Sequence, residues 1–197
     1  GWGHFEYGKA KVAGLAEGLN FEHSVQAVDA ARAGFTVLAP DMHGYEERRP
    51  AAQLRDANPR YYGDGNYAMQ ETLRLVMSGS SYQARCLADL RACADLIEQL
   101  DGAPGRPIGC FGHSFGGWET LFALFMDSRI RAGACSCGVT LMADIAMQAR
   151  PFGLQAFLPG LLARGDMDDL FDHIAPKPLC LLFGAVDPLT RPQPTER

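Results

Sequence analysis

Residues 107–118 read PIGCFGHSFGGW: a short apolar run, then a glycine-rich turn, then the start of a helical pattern. Within this stretch, Gly112-His113-Ser114-Phe115-Gly116 matches the pattern G-x-S-x-G. The pattern alone is weak evidence, but a nucleophile elbow requires it to follow a strand directly and to open directly into a helix, as it does here. The stretch therefore predicts a sharp strand–turn–helix connection that presents the Ser114 hydroxyl at the edge of a sheet.

Each residue of this turn has an expected role. Gly112 and Gly116 are expected because the turn is strained and its neighbours approach the backbone closely. The amide of Phe115, at the helix start, would point toward an oxyanion that develops on a bound substrate. The alternative interpretation is that Ser114 is a polar residue of a purely structural turn.

The rest of the chain alternates strand-like and helical patterns. Helical spacing of apolar residues extends over three segments, and four apolar runs have the density of buried parallel strands. The helical segments are 23–32, 81–100 and 118–126, and the apolar runs are 35–40, 107–111, 132–137 and 178–183. This alternation predicts an α/β fold with a mostly parallel central sheet and helices on both faces.

Two less regular stretches interrupt that alternation. Residues 42–80 and 139–172 carry scattered Gly, Pro, Asp and Arg, and we expect them to be cap-like excursions above the sheet that could form walls of a substrate pocket. No composition shift marks a linker, so residues 1–197 are predicted to form a single domain.

Composition excludes several classes of function. The net charge of −5 and the pI of about 5.5 give no electrostatic footprint for nucleic acid or an anionic membrane. No apolar run reaches the roughly 18 residues that a membrane span needs. No second Cys or His pair lies at metal-ligand spacing, so for the six cysteines we expect buried free thiols, no metal site and a reducing, cytoplasmic compartment.

Asp187 is the second candidate catalytic residue. It follows the apolar run 178–183 on a short loop, a position that suits a carboxylate orienting a histidine. In folds with this elbow the triad runs Ser, acid, His along the chain, and Asp187 comes after Ser114. A helix cap or turn before Pro188 is the alternative. Asp41 also follows a strand-like run, but it precedes Ser114 and is expected to hold its own loop.

The general base has no clear candidate. All five histidines precede Asp187, so none occupies the expected place in the chain. We expect His173 to end a helix and the side chain of His113 to point away from the reaction, whereas His4 and His43 could line a pocket. The histidines are His4, His23, His43, His113 and His173.

These residues lie within longer segments that resemble one family. Residues 1–14 (GWGHFEYGKAKVAG) and 23–48 (HSVQAVDAARAGFTVLAPDMHGYEER) resemble the amino half of the dienelactone-hydrolase-like α/β hydrolases. More narrowly, they are similar to the acetyl-xylan-esterase-like branch. Residues 88–100 and 108–121 fit the same branch, and 158–188 (LPGLLARGDMDDLFDHIAPKPLCLLFGAVDP) is the segment most particular to it.

The resemblance implies roles for specific residues. Ser114 becomes the nucleophile and Asp187 the triad acid. Gly1-Trp2-Gly3 matches the end of the family's His-Gly-x-Gly loop, which makes the amide of Trp2 a second oxyanion donor beside that of Phe115. Dienelactone hydrolases proper use a cysteine nucleophile, so a serine here implies esterase chemistry without a cofactor.

The resemblance also predicts that both ends of the domain are missing. The family's third strand would precede Gly1, and its last strand and triad histidine would follow Arg197. The expected function is hydrolysis of a small-molecule carboxylic ester through an acyl-enzyme. A serine peptidase or amidase on the same scaffold is one alternative, and a non-catalytic hydrolase-like module without a working triad is the other. The sequence does not predict the oligomeric state.

Overall fold

The computed structural model describes residues 5–15, 25–62, 66–100, 106–147 and 153–185. The described part contains nine helices, three strands and four short 3₁₀ turns. The helices are α1 Gly8–Val12, α2 Gln26–Arg32, α3 Ala52–Ala57, α4 Pro59–Tyr62, α5 Asn66–Met77, α6 Tyr82–Leu100, α7 Phe115–Met126, α8 Met142–Met147 and α9 Leu170–Ile174. The strands are β1 Ile108–His113, β2 Ile130–Ser136 and β3 Leu179–Leu182, and the 3₁₀ turns are Glu46–Arg48, Leu154–Ala156, Leu161–Ala163 and Met167–Asp169.

The strands form a parallel sheet in the order β1–β2–β3, which confirms the predicted α/β class. Ser136 is paired with His113 on one side and with Leu182 on the other, so the three strands end side by side. Because all three run in the same direction, the loops that follow them emerge at one edge. Ligands of open α/β sheets bind at this carboxyl edge.

Helix α7 covers one face of the sheet and carries much of the core. Trp118, Leu121 and Leu124 are fully buried, and a Cβ added at Gly133 of β2 would lie 2.4 Å from Leu124 Cδ1. The opposite face is open at Phe111 and Leu182, each of which is 49% exposed. Burial of each large apolar side chain contributes about 2 kcal/mol, so α7 is anchored chiefly by the core and the sheet.

The predicted strand at 35–40 is wrong. These residues form neither a strand nor a helix, and Phe35 is 70% exposed. A parallel strand is held by backbone hydrogen bonds to a neighbour, and among the described residues no strand lies beside this run. The other three predicted strands form, with bounds shifted by one or two residues, and the helix predicted from 118 begins earlier, at Phe115.

The two irregular stretches meet one another near the start of α6. The 3₁₀ turn Leu154–Ala156 packs against both α5 and α6, and the side-chain amide of Gln83 donates to the carbonyl of Gln155 at 3.2 Å. Within the second stretch, the buried carboxylate of Asp166 accepts hydrogen bonds from the amides of Met142, Ala143 and Met167. Both excursions are therefore tied to the helical layer that supports the sheet.

None of the helices in the described part of the chain is both long and apolar enough to cross a bilayer.

Candidate active site

Ser114 lies between β1 and α7 in a conformation that serine rarely adopts. Its φ is 57° and its ψ is −120°, whereas an ordinary helix-capping serine has an extended backbone and caps with its hydroxyl. The Ser114 side chain makes no such cap. A role as a helix N-cap therefore does not explain the presence of Ser114, because its hydroxyl makes no hydrogen bond to the first turn of α7.

Backbone hydrogen bonds hold Ser114 in this strained form. Its amide donates to the carbonyl of Ser136 at the end of β2 at 2.7 Å, and its carbonyl accepts from the amide of Gly117 at 2.8 Å. Strain of this kind costs about 1–3 kcal/mol and persists only where the surroundings fix it. Burial of Leu121 and Leu124 further along α7 is large enough to offset that cost.

The turn needs glycine at some positions and not at others. A Cβ at Gly112 would lie 1.9 Å from the carbonyl oxygen of Gly116, so no side chain fits there. A Cβ at Gly116 itself would meet nothing within 4 Å, so the expected crowding at that residue is absent. Crowding occurs instead at Gly117, where a Cβ would lie 2.7 Å from Cys135 Sγ and 2.9 Å from the Cα of Gly138.

Phe115 is the first residue of α7, at the positive end of the helix dipole. Its ring is buried against Tyr82 of α6 and Trp118 of α7, with ring centroids 6.0 Å and 5.7 Å away. The packing of α6 on α7 therefore fixes the residue whose amide is the candidate oxyanion donor.

The end of β3 is linked to the elbow through β2. The amide of Cys137 donates to the carbonyl of Leu182 at 2.8 Å, and Ser136 beside it accepts from Ser114. Cys137 has a φ of +49°, which a residue with a side chain seldom adopts.

Three residues that shape the site, Gly117, Cys137 and Gly138, were not predicted from the sequence. The Gly-Gly pair after the elbow and the Cys-Gly pair after β2 are nevertheless visible signals of tight turns.

Two of the predicted site residues, Asp187 and Trp2, lie outside the described residues, as do His4 and His23. Their assignments remain predictions. Ser114, Phe115, Gly112 and Gly116 are described and lie together at the carboxyl end of β1.

The three described histidines are engaged elsewhere. His113 Nδ1 lies 3.0 Å from Ser136 Oγ, and His173 lies near the end of α9 with its ring against Phe125. His43 Nε2 lies 3.1 Å from a carboxylate oxygen of Glu71, and both side chains are largely buried. None of these contacts involves the Ser114 side chain.

Asp41 was expected to order only its own loop, but it also binds helix α1. Its buried carboxylate accepts from the backbone amide and the ammonium of Lys9 in α1, each at 2.6 Å. The same ammonium contacts Glu46 at 2.6 Å and Glu47 at 2.9 Å, and its hydrogen bond lowers the pKa of Glu46 to about 2. Oxygens of the three acids lie within 4.8 Å of one another, as metal ligands would, but a metal ion there would have to displace Lys9.

All six cysteines are free thiols. Burial raises the pKa of Cys135 to about 11, which makes its thiol a poor nucleophile at neutral pH. Cys180 was expected to be buried in its strand, but it is exposed because that face of β3 is open.

Comparison with known protein families identifies the family of this chain. The model of a family described as the alpha/beta hydrolase family matches residues 1–195, nearly the whole chain. It does not distinguish the dienelactone-hydrolase-like branch from the rest of that family. No curated protein and no solved structure matches the chain.

Proposed function

The chain belongs to the α/β-hydrolase family, and we propose that it is a serine hydrolase that cleaves carboxylic esters through an acyl-enzyme at Ser114. The observation that carries the proposal is the Ser114 backbone, with φ 57° and ψ −120°, together with a hydroxyl that caps no helix. A strained serine between a strand and a buried helix is what a nucleophile elbow requires. A turn selected only for structure would have no need of the strain.

In the proposed reaction, Ser114 Oγ attacks the carbonyl carbon of the ester. Its proton passes to a general base, and the carbonyl oxygen becomes a tetrahedral oxyanion that accepts hydrogen bonds from the amides of Phe115 and Trp2. Collapse of this intermediate breaks the bond to the alcohol, which leaves with the proton. Water then attacks the acyl-enzyme by the same steps and releases the carboxylic acid.

Asp187 is proposed as the acid that orients the base. In support, β3 leads toward it, and the end of β3 is joined to the elbow through Ser136 and Cys137. None of the five histidines follows Asp187 in this sequence, so the base is not assigned to any of them.

The substrate is proposed to be a small ester with a short acyl group. The resemblance of residues 158–188 to the acetyl-xylan-esterase-like branch supports a short acyl group, and serine rather than cysteine at the elbow supports ester chemistry. Pocket walls from 42–80 and 139–172 would select the alcohol. Six free cysteines favour a reducing compartment such as the cytoplasm.

Covalent labelling tests the proposal without requiring knowledge of the substrate. In the full protein, a fluorophosphonate probe should modify Ser114, and the Ser114→Ala variant should not react. Ser136→Ala is the matched control, because Ser136 lies at the same sheet edge and should leave labelling intact. If the folded full protein is not labelled, or is labelled equally in Ser114→Ala, the non-catalytic module is the better account.

Reaction with esters and amides of the same acyl group separates the two enzyme classes. We expect release of the alcohol from an acetyl ester to exceed release of the amine from the matched amide at least tenfold. Equal or faster amide cleavage would favour a peptidase or amidase.

A further inference from the structure

Helix α7 buries a single charged residue, Glu119, in its otherwise apolar surface. The residue is 3% exposed and lies in the second turn of the helix, five positions after Ser114. Its neighbours along the helix, Trp118 and Thr120, are fully buried as well. A carboxyl group at such a position must be compensated by partners or remain uncharged.

No adequate partner compensates the carboxyl of Glu119. Within the described residues, neither of its oxygens has a hydrogen-bond partner of acceptable geometry. The thiol of Cys86 interacts with the carboxyl and lowers its pKa, but a thiol is only a weak donor. The helix dipole offers little help, since its effect fades beyond the first turn.

The titratable groups that face Glu119 are themselves acidic or neutral. Helix α6 contributes Tyr82, Cys86 and Asp89, the loop before the first 3₁₀ turn contributes Tyr45, and β1 contributes Cys110. The cation of this region, Arg48, already binds the Asp89 carboxylate at 2.6 Å and the carbonyl of Asp41.

We propose that Glu119 is a buried proton switch: while it is protonated, α7 packs on α6, and loss of the proton places an unpaired charge between the two helices and loosens them. The same interface holds the ring of Phe115 against Tyr82, so the start of α7 depends on it. The proposal stands on the position of Glu119 and does not require the chain to be a hydrolase.

The direction of the pH effect follows from the protonation of the two states. Burial raises the pKa of Glu119 well above 4.5, Asp89 raises it further, and Cys86 opposes this only in part. The unfolded chain therefore releases the proton at a lower pH than the folded chain. Between the two pKa values, the equilibrium constant for unfolding increases about tenfold for each pH unit, so stability falls as pH rises.

Chemical unfolding of the full chain between about pH 5 and about pH 9 tests the proposal. We expect Glu119→Gln, which cannot ionise, to lose less stability than the wild type as pH rises, so that the difference in unfolding free energy between the two proteins widens between the unfolded-state and folded-state pKa values of Glu119. Glu6→Gln is the matched control, because Glu6 is exposed and its removal should leave the wild-type pH profile unchanged. Parallel profiles for wild type and Glu119→Gln would overturn the proposal.

A direct titration of the wild type covers the case in which Glu119→Gln does not fold. The side-chain carboxyl carbon of Glu119, followed by NMR, should titrate with a midpoint well above 4.5. A midpoint near 4.5, the ordinary value for glutamate, would overturn the proposal in the native protein itself.

Discussion

At the scale of single residues, the site depends on backbone geometry rather than on side-chain contacts. Ser114 takes a positive φ because its amide is drawn to Ser136 and its carbonyl to Gly117, while α7 is anchored in the core. Gly112 permits this turn because it has no Cβ to collide with the next glycine. The nucleophile is thus presented by steric and hydrogen-bonding constraints that the neighbouring residues supply.

The two elbow glycines should respond differently to the same substitution. Gly112→Ala should destabilise the chain by more than about 2 kcal/mol, because its methyl group would lie 1.9 Å from the Gly116 carbonyl and the backbone must shift. Gly116→Ala should be neutral or stabilising by up to about 1 kcal/mol, since it has space and alanine favours the helix. Urea unfolding of both variants checks this prediction. An equal decrease in the free energy of unfolding in the two variants would contradict the steric explanation.

At the scale of helices and strands, local patterns predicted what local contacts determine. The elbow, three of the strands and α6 were visible because apolar spacing and glycine placement fix them within short stretches. The run at 35–40 has the same apolar density, but whether it becomes a strand depends on a distant neighbour that its own residues do not specify. Likewise, the crowding at Gly117 arises from Gly138 and Cys135, more than fifteen residues away in the chain.

Asp166 shows how one side chain can order an irregular segment. Its carboxylate accepts from the amides of Met142 and Ala143, at the start of α8, and from that of Met167. We expect Asp166→Ala to destabilise the chain by about 3 kcal/mol, because these buried amides lose a charged acceptor. Asp166→Asn should lose less stability than Asp166→Ala, since the side-chain carbonyl oxygen of asparagine can replace one carboxylate oxygen as an acceptor.

Amide hydrogen exchange gives the local readout for Asp166. Exchange at Met142 and Ala143 should accelerate in Asp166→Ala, while amides in β1 and β2 change less. Asp172→Asn is the control, because Asp172 is exposed on α9. Unchanged exchange at Met142 in Asp166→Ala would mean that other contacts order the start of α8.

At the scale of the whole molecule, the sheet is covered unequally. Successive residues along each strand alternate between the face under α7 and the opposite face, and on that opposite face Phe111 is paired with Ala134 and Leu182 with Ser136. Parallel sheets are ordinarily buried on both faces. The exposed side chains of Phe111 and Leu182 therefore form an apolar surface on this face that is costly to hydrate.

An apolar dye that fluoresces on exposed hydrocarbon surface should detect this face in the folded chain. We expect the double variant Phe111→Thr/Leu182→Thr to bind markedly less dye, because it removes large side chains that are each 49% exposed, while threonine keeps a good strand propensity. Met77→Thr is the matched control, since Met77 is 88% exposed on α5 but stands apart from the sheet. An equal loss of dye binding in Met77→Thr would show that scattered apolar side chains, rather than a continuous sheet face, bind the dye. If only the double variant loses dye binding, and its unfolding midpoint is unchanged, the dye binds to a face that is exposed in the native fold rather than to unfolded chains.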